Sequence, residues 1–89
     1  MRIKDSFVLQ EIADEFIVVP VAEDADRLRG IIKLNETGAF LWRYMVEHSA
    51  SMEELVAALA SQYKIDKQKA TIDIETFIKQ IDGLGCLEA

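Results

Sequence analysis

Eighty-nine residues suffice for one core but leave little room for a deep catalytic cleft, since a chain of this size buries roughly 60 to 65 % of its unfolded surface. A hydrophobic content of 51 % excludes a disordered chain despite 29 % charged residues. Ten Lys and Arg against 16 Asp and Glu give a net charge of -6, a field that repels phosphates and anionic headgroups and argues against nucleic acid and membrane partners.

Cys86 is the single cysteine, so an internal disulfide is excluded and a reducing compartment, the cytosol, is expected. Arg2 and Lys4 open the chain, but Gln10, Glu11, Asp14 and Glu15 interrupt the apolar stretch a signal peptide needs. The longest apolar run, residues 16–22, is far short of the roughly 20 residues of a spanning helix, so a soluble protein is expected.

In chain order, residues 7–12 and 16–21 are rich in β-branched and aromatic side chains and flank the polar Ala13-Asp14-Glu15, the pattern of a hairpin. The second strand is apolar on both faces, Phe16 and Val18 against Ile17, Val19 and Val21, so each face calls for a cover. Pro20 suits a strand end. Residues 23–29 are charged and read as a loop, and residues 30–34 as a third short strand.

Asn35 then caps a helix expected over residues 36–48, with Leu34 and Ala39 placed as a hydrophobic staple. Its apolar stripe holds Thr37, Gly38, Leu41, Tyr44 and Met45, widened by Phe40, Trp42 and Val46. Ser51 and Glu54 form a capping box for a second helix with Met52, Leu55, Val56, Leu59 and Tyr63 on one face. Asp66 caps a third, where Ala70, Ile74, Phe77, Ile78, Ile81 and Leu84 recur at helical spacing and Gly85 closes the end. Three strands then three helices imply an α+β, winged-helix-like domain spanning residues 1–89, with a three-stranded antiparallel sheet followed by three helices.

Side chains that carry chemistry are sparse. Cys86 and His48 could pair as nucleophile and base only if adjacent, and each has a plainer role, as a small hydrophobe and as a helix C-terminal residue. Two potential zinc ligands fall short of the four a structural site takes. Glu23, Asp24 and Asp26 lack the order of a calcium loop, and Gly30, Gly38, Gly83 and Gly85 are too scattered for a phosphate cradle. A winged helix could read DNA through its third helix, but Lys67, Lys69 and Lys79 are offset there by Asp66, Asp73, Glu75 and Asp82, with no Arg to read guanine.

What remains is a backbone edge. In a simple meander the third strand lies at the border of the sheet, where its free N–H and C=O groups could accept an extended peptide against the third helix. Ile72 lies nearly opposite the core stripe of that helix, with Thr76 and Lys79 on its side, as a groove wall or as a scattered surface isoleucine.

The segments Phe7-Val8-Leu9, Ile17-Val18-Val19-Pro20-Val21, Leu34-Asn35-Glu36-Thr37-Gly38-Ala39-Phe40-Leu41-Trp42, Glu53-Glu54-Leu55-Val56 and Leu84-Gly85-Cys86-Leu87 together resemble the PqqD family of peptide-recognition domains. The resemblance implies a non-enzymatic domain without a cofactor that binds the leader of a ribosomally made precursor peptide. It also implies presentation to a modifying enzyme, typically a radical S-adenosylmethionine enzyme. The namesake serves pyrroloquinoline quinone biosynthesis, and similar domains serve other pathways. In similar domains the leader pairs with the third strand against the third helix, which corresponds here to Gly30, Ile31, Ile32, Lys33 and Leu34 and, by helical geometry, to Ile72, Glu75, Thr76 and Lys79. An acidic winged-helix transcription or protein-interaction domain, and a homodimerisation module, stay open as rival readings.

Overall fold

The computed structural model describes residues 1–21 and 32–88. β1 (Phe7–Ile12) and β2 (Glu15–Pro20) form an antiparallel hairpin closed by Ala13 and Asp14, whose φ angles are 49° and 66°. Two successive left-handed residues make the two-residue turn whose twist matches that of the strands. Glu15 is therefore drawn into β2 opposite Ile12 instead of staying in the loop expected over 13–15. β3 (Ile32–Leu34) pairs antiparallel with β2, giving the order β1-β2-β3 with β2 central. The expected third strand is thus seen from Ile32 onward. Gly30, Ile31 and the acidic stretch with Glu23, Asp24 and Asp26 lie outside the described residues.

The phase of the ladder follows from the turn. A two-residue connection makes Ile12 and Glu15 a hydrogen-bonded pair, and the Val21 N–H donates to the Ser6 carbonyl at 2.7 Å in the same phase. Phe16 and Val18 must then direct their backbone groups toward β3, where they face Leu34 and Ile32. Lys33, opposite Ile17, falls in a non-bonded pair, so its N–H and C=O point away from β2, toward the open edge. Pro20 shares the phase of Phe16 and Val18, so its missing donor falls on the β3 side, and the described ladder stops at the Val18–Ile32 pair.

One face of the sheet is core: Phe7, Val18, Ile32 and Leu34 are buried, with Leu9 and Phe16 packed beside them. The other face is only partly covered among the described residues, with Ile17 and Val19 half-buried and Val8 and Ile12 exposed.

α1 (Glu36–Glu47), α2 (Met52–Tyr63) and α3 (Lys67–Gly83) start where the capping residues place them. Asn35 Oδ1 accepts from the Gly38 N–H at 2.8 Å, the Ser51–Glu54 capping box is closed in both directions, and Asp66 accepts from the Lys69 N–H at 2.8 Å. At the far end of α3, the N–H groups of Gly85 and Cys86 bond to the carbonyls of Asp82 and Ile81, and Gly85 has φ +78°. This is a Schellman motif, with Gly85 one position beyond the cap residue Leu84. Leu84, counted above with the core stripe, is therefore turned out and exposed.

α1 lies against β1 and β3, and α2 bridges α1 and α3. The shared core contains Leu41, Trp42 and Met45 of α1, Leu55 and Leu59 of α2, and Ala70, Ile74, Phe77 and Ile81 of α3. Trp42 is thus a core residue, while Val46, expected to widen the α1 stripe, is 51 % exposed. Ile3 and Cys86 join the core where the two ends of the chain pair, with Lys4 N–H donating to Cys86 O and Glu88 N–H to Arg2 O, both at 2.9 Å.

Candidate functional site

β3 is the edge strand nearest α3, but the two elements do not close on each other. A cleft of about 720 Å³ lies between them. On the sheet side its wall is Lys33, Leu34 and Asn35, and its floor is Thr37, Gly38 and Leu41 from the first turns of α1. Tyr63 and Ile65, at the turn from α2 to α3, form one end. The opposite wall is Lys69, Asp73, Thr76, Phe77 and Gln80 of α3.

The helix-start chemistry shapes the floor. Asn35 serves two donors, the Gly38 N–H and the Thr37 hydroxyl at 3.0 Å, which fixes the strand-to-helix bend under the cleft. A Cβ on Gly38 would sit 3.1 Å from Asn35 Oδ1 and 3.3 Å from Leu34 Cβ, so the absence of a side chain there lets the cap close on the strand.

Of the residues expected to form the site, Lys33, Leu34 and Thr76 line the cleft. Ile32 is buried beneath it, anchoring the strand to the core. Gly30 and Ile31 lie outside the described residues. Ile72, Glu75 and Lys79 are exposed on α3 and are not among the residues that line the cleft, with Ile72 61 % exposed. At roughly 100° per residue, positions 69, 73, 76 and 80 form one stripe beside the core stripe, and Ile72 and Lys79 lie roughly 60° to 100° away from it.

Sequence reasoning missed Lys69, Asp73 and Gln80 because polar residues on a helix leave no apolar signal. Their i, i+4, i+11 spacing was the signal that could have found them. Tyr63 and Ile65 were invisible for another reason, since only tertiary packing brings the end of α2 to the cleft.

The cleft is amphipathic. Leu34, Leu41, Ile65 and Phe77 supply apolar surface. Lys69 Nζ contacts Asp73 Oδ1 at 2.7 Å, and Lys33 Nζ contacts Glu15 Oε1 at 3.4 Å, both exposed pairs that solvent weakens and a ligand can reorganise. Desolvation, reinforced by the Glu36 carboxylate, pushes the Tyr63 phenol above its usual range, with Arg43 opposing; the hydroxyl stays protonated at neutral pH and reaches the Glu36 carbonyl at 3.5 Å. This arrangement can hold an extended chain, giving it backbone partners at Lys33 and apolar seats below.

Elsewhere, Cys86 is fully buried, and His48 is exposed at the C-cap of α1 with its ring 4.8 Å from Tyr44. Among the described residues no group of three His, Cys, Asp or Glu side chains is placed to hold a metal, and no helix is long and apolar enough to cross a membrane.

An open-edged three-stranded sheet backed by three helices is the architecture of a small α+β domain of winged-helix type. The sequence profile "Coenzyme PQQ synthesis protein D (PqqD)" matches residues 15–87, and the chain belongs to the PqqD family. No curated protein matches it. A solved structure, "TbiB1 in Complex with the TbiA(beta) Leader Peptide", shares the fold with a TM-score of 0.76 and 24 % identity, over 100 % of this chain and 96 % of that one.

Proposed function

We propose that this protein is a non-catalytic adaptor that captures the leader of a ribosomally synthesised precursor peptide by strand addition to β3 and presents it to a modifying enzyme, a radical S-adenosylmethionine enzyme as for similar domains. The observation that carries the reading is the open edge at Lys33, whose N–H and C=O face a partly apolar cleft. Family membership supports it, as does the leader peptide bound to TbiB1. The contacting residues are Lys33 through its backbone, with Leu34, Thr76 and Phe77 receiving side chains.

Magnitudes favour a transient complex. Two backbone hydrogen bonds at about 1 kcal/mol each and two apolar anchors at about 2 each give about 6 kcal/mol gross. Ordering the peptide takes back about 2 to 5 kcal/mol, leaving an affinity of about millimolar or weaker from this edge alone. Tighter capture therefore requires contacts beyond the described edge.

The test is a titration of isotopically labelled protein with the small peptide encoded beside its gene. Amide shifts concentrated at residues 32–35 and along the Lys69, Asp73 and Thr76 stripe are expected. Shifts confined to the outer sheet face, or none at millimolar peptide, would overturn the assignment.

A further inference from the structure

The cleft does not end at Asn35. A second hollow of about 460 Å³ shares Lys33, Leu34 and Asn35 with it and runs past the hairpin turn. A third, of about 340 Å³, shares Phe16 and Glu36 with the second and Tyr63 with the first. Through these shared residues the three adjoin one another, from the β3–α3 cleft past the Leu34 end of β3 to a shelf on α1 and α2.

The shelf differs in chemistry from the cleft. Its surface is aromatic: Phe40 meets Tyr63 edge-on at 5.8 Å and lies 6.4 Å from Tyr44, and both Phe40 and Tyr44 are half-buried on α1. Ring faces of this kind attract cations, and one already does so here, the Arg43 guanidinium standing 5.4 Å from the centroid of Phe16. Along the second and third hollows, Asp14, Glu15, Glu36 and Glu47 outnumber Lys33 and Arg43. A cationic side chain therefore finds aromatic faces and a surplus of carboxylates together.

Resting on the strand-addition reading above, we infer that this shelf is a second recognition subsite for the same peptide, taking a lysine or arginine on the N-terminal side of the strand-forming segment. The direction follows from the sheet. A peptide extending an antiparallel sheet runs opposite to β3, so the residues that pass its Leu34 end are the earlier ones. The adjoining hollows carry those residues to the shelf, and the added contact supplies part of what the short β3 edge lacks.

The probe is a library of random peptides of about 15 residues, long enough at about 3.3 Å per extended residue to run along the adjoining hollows, selected on the intact protein. Expected is enrichment of apolar strand-forming segments with Lys or Arg at a fixed N-terminal distance. Changing that basic residue to Ala in a selected peptide should weaken binding about two- to five-fold, the range of an exposed cation on an aromatic face. The basic preference should fall away in selections on Tyr44→Ala and on Glu47→Gln while the apolar preference persists; the exposed Glu47 position guards against a folding defect at Tyr44. Strand-forming peptides without a basic preference, or a preference that survives both substitutions, would overturn the subsite and leave the cleft reading intact. Selected peptides that leave the Lys33 and Thr76 amides unshifted would overturn both.

Discussion

Single residues at the junctions fix where the elements begin and end. Asn35 carries the most, because its one side-chain oxygen serves both the Gly38 N–H and the Thr37 hydroxyl at the point where β3 becomes α1. Asn35→Ala should cost about 1 kcal/mol, read as a lower urea midpoint with unchanged slope. Gly85 is held at φ +78° with no atom within 4 Å of where a Cβ would stand, so Gly85→Ala should cost about 1 to 2 kcal/mol from backbone strain alone. Ala13 carries the opposite sign. It holds a left-handed conformation that its side chain disfavours, and the Ala13→Asn, Asp14→Gly pair should raise thermal stability by about 1 kcal/mol. The caps at Asn35, Ser51 and Asp66 were legible because each places an acceptor three residues ahead of the N–H it meets. The turn at Ala13 was not, since alanine announces no left-handed conformation.

At the scale of elements, β3 separates two roles along three residues. Ile32 and Leu34 turn side chains inward and backbone groups to β2, whereas Lys33 turns its side chain to solvent and its backbone to the open edge. Proline scanning should resolve this alternation. Lys33→Pro removes an outward N–H at a position where an edge strand tolerates proline, so the domain should stay folded by circular dichroism while peptide affinity falls about five-fold or more, the loss of one hydrogen bond of about 1 kcal/mol. Ile32→Pro removes a donor that faces β2 and should unfold or strongly destabilise the domain. Equal peptide affinity for wild type and a folded Lys33→Pro protein would contradict the assigned phase.

Strand positions and helix starts were readable from period and caps, as was the border position of β3. The groove-facing stripe of α3 was not: counting from the core stripe selected Ile72, the most apolar of the remaining residues, while packing turned Lys69, Asp73, Thr76 and Gln80 toward the cleft.

Over the whole molecule, the core and the proposed peptide site share residues. Leu34, Leu41 and Phe77 belong both to the core cluster and to the cleft lining, so the apolar lining of the site is the outer layer of the core. A site built this way is positioned before the peptide arrives, and the ordering cost falls on the peptide. It also explains why large substitutions in this apolar lining are poor probes of binding, since they destabilise the fold.

If an extended peptide becomes the next strand beside β3, hydrogen exchange at a single backbone amide must report it. In the free protein the Lys33 N–H faces the open edge and should exchange fast, while the Ile32 N–H, paired to β2, should be protected. With leader peptide bound, Lys33 should become protected and Ile32 should change little. Binding that leaves Lys33 exchanging at its free rate would contradict strand addition at this edge.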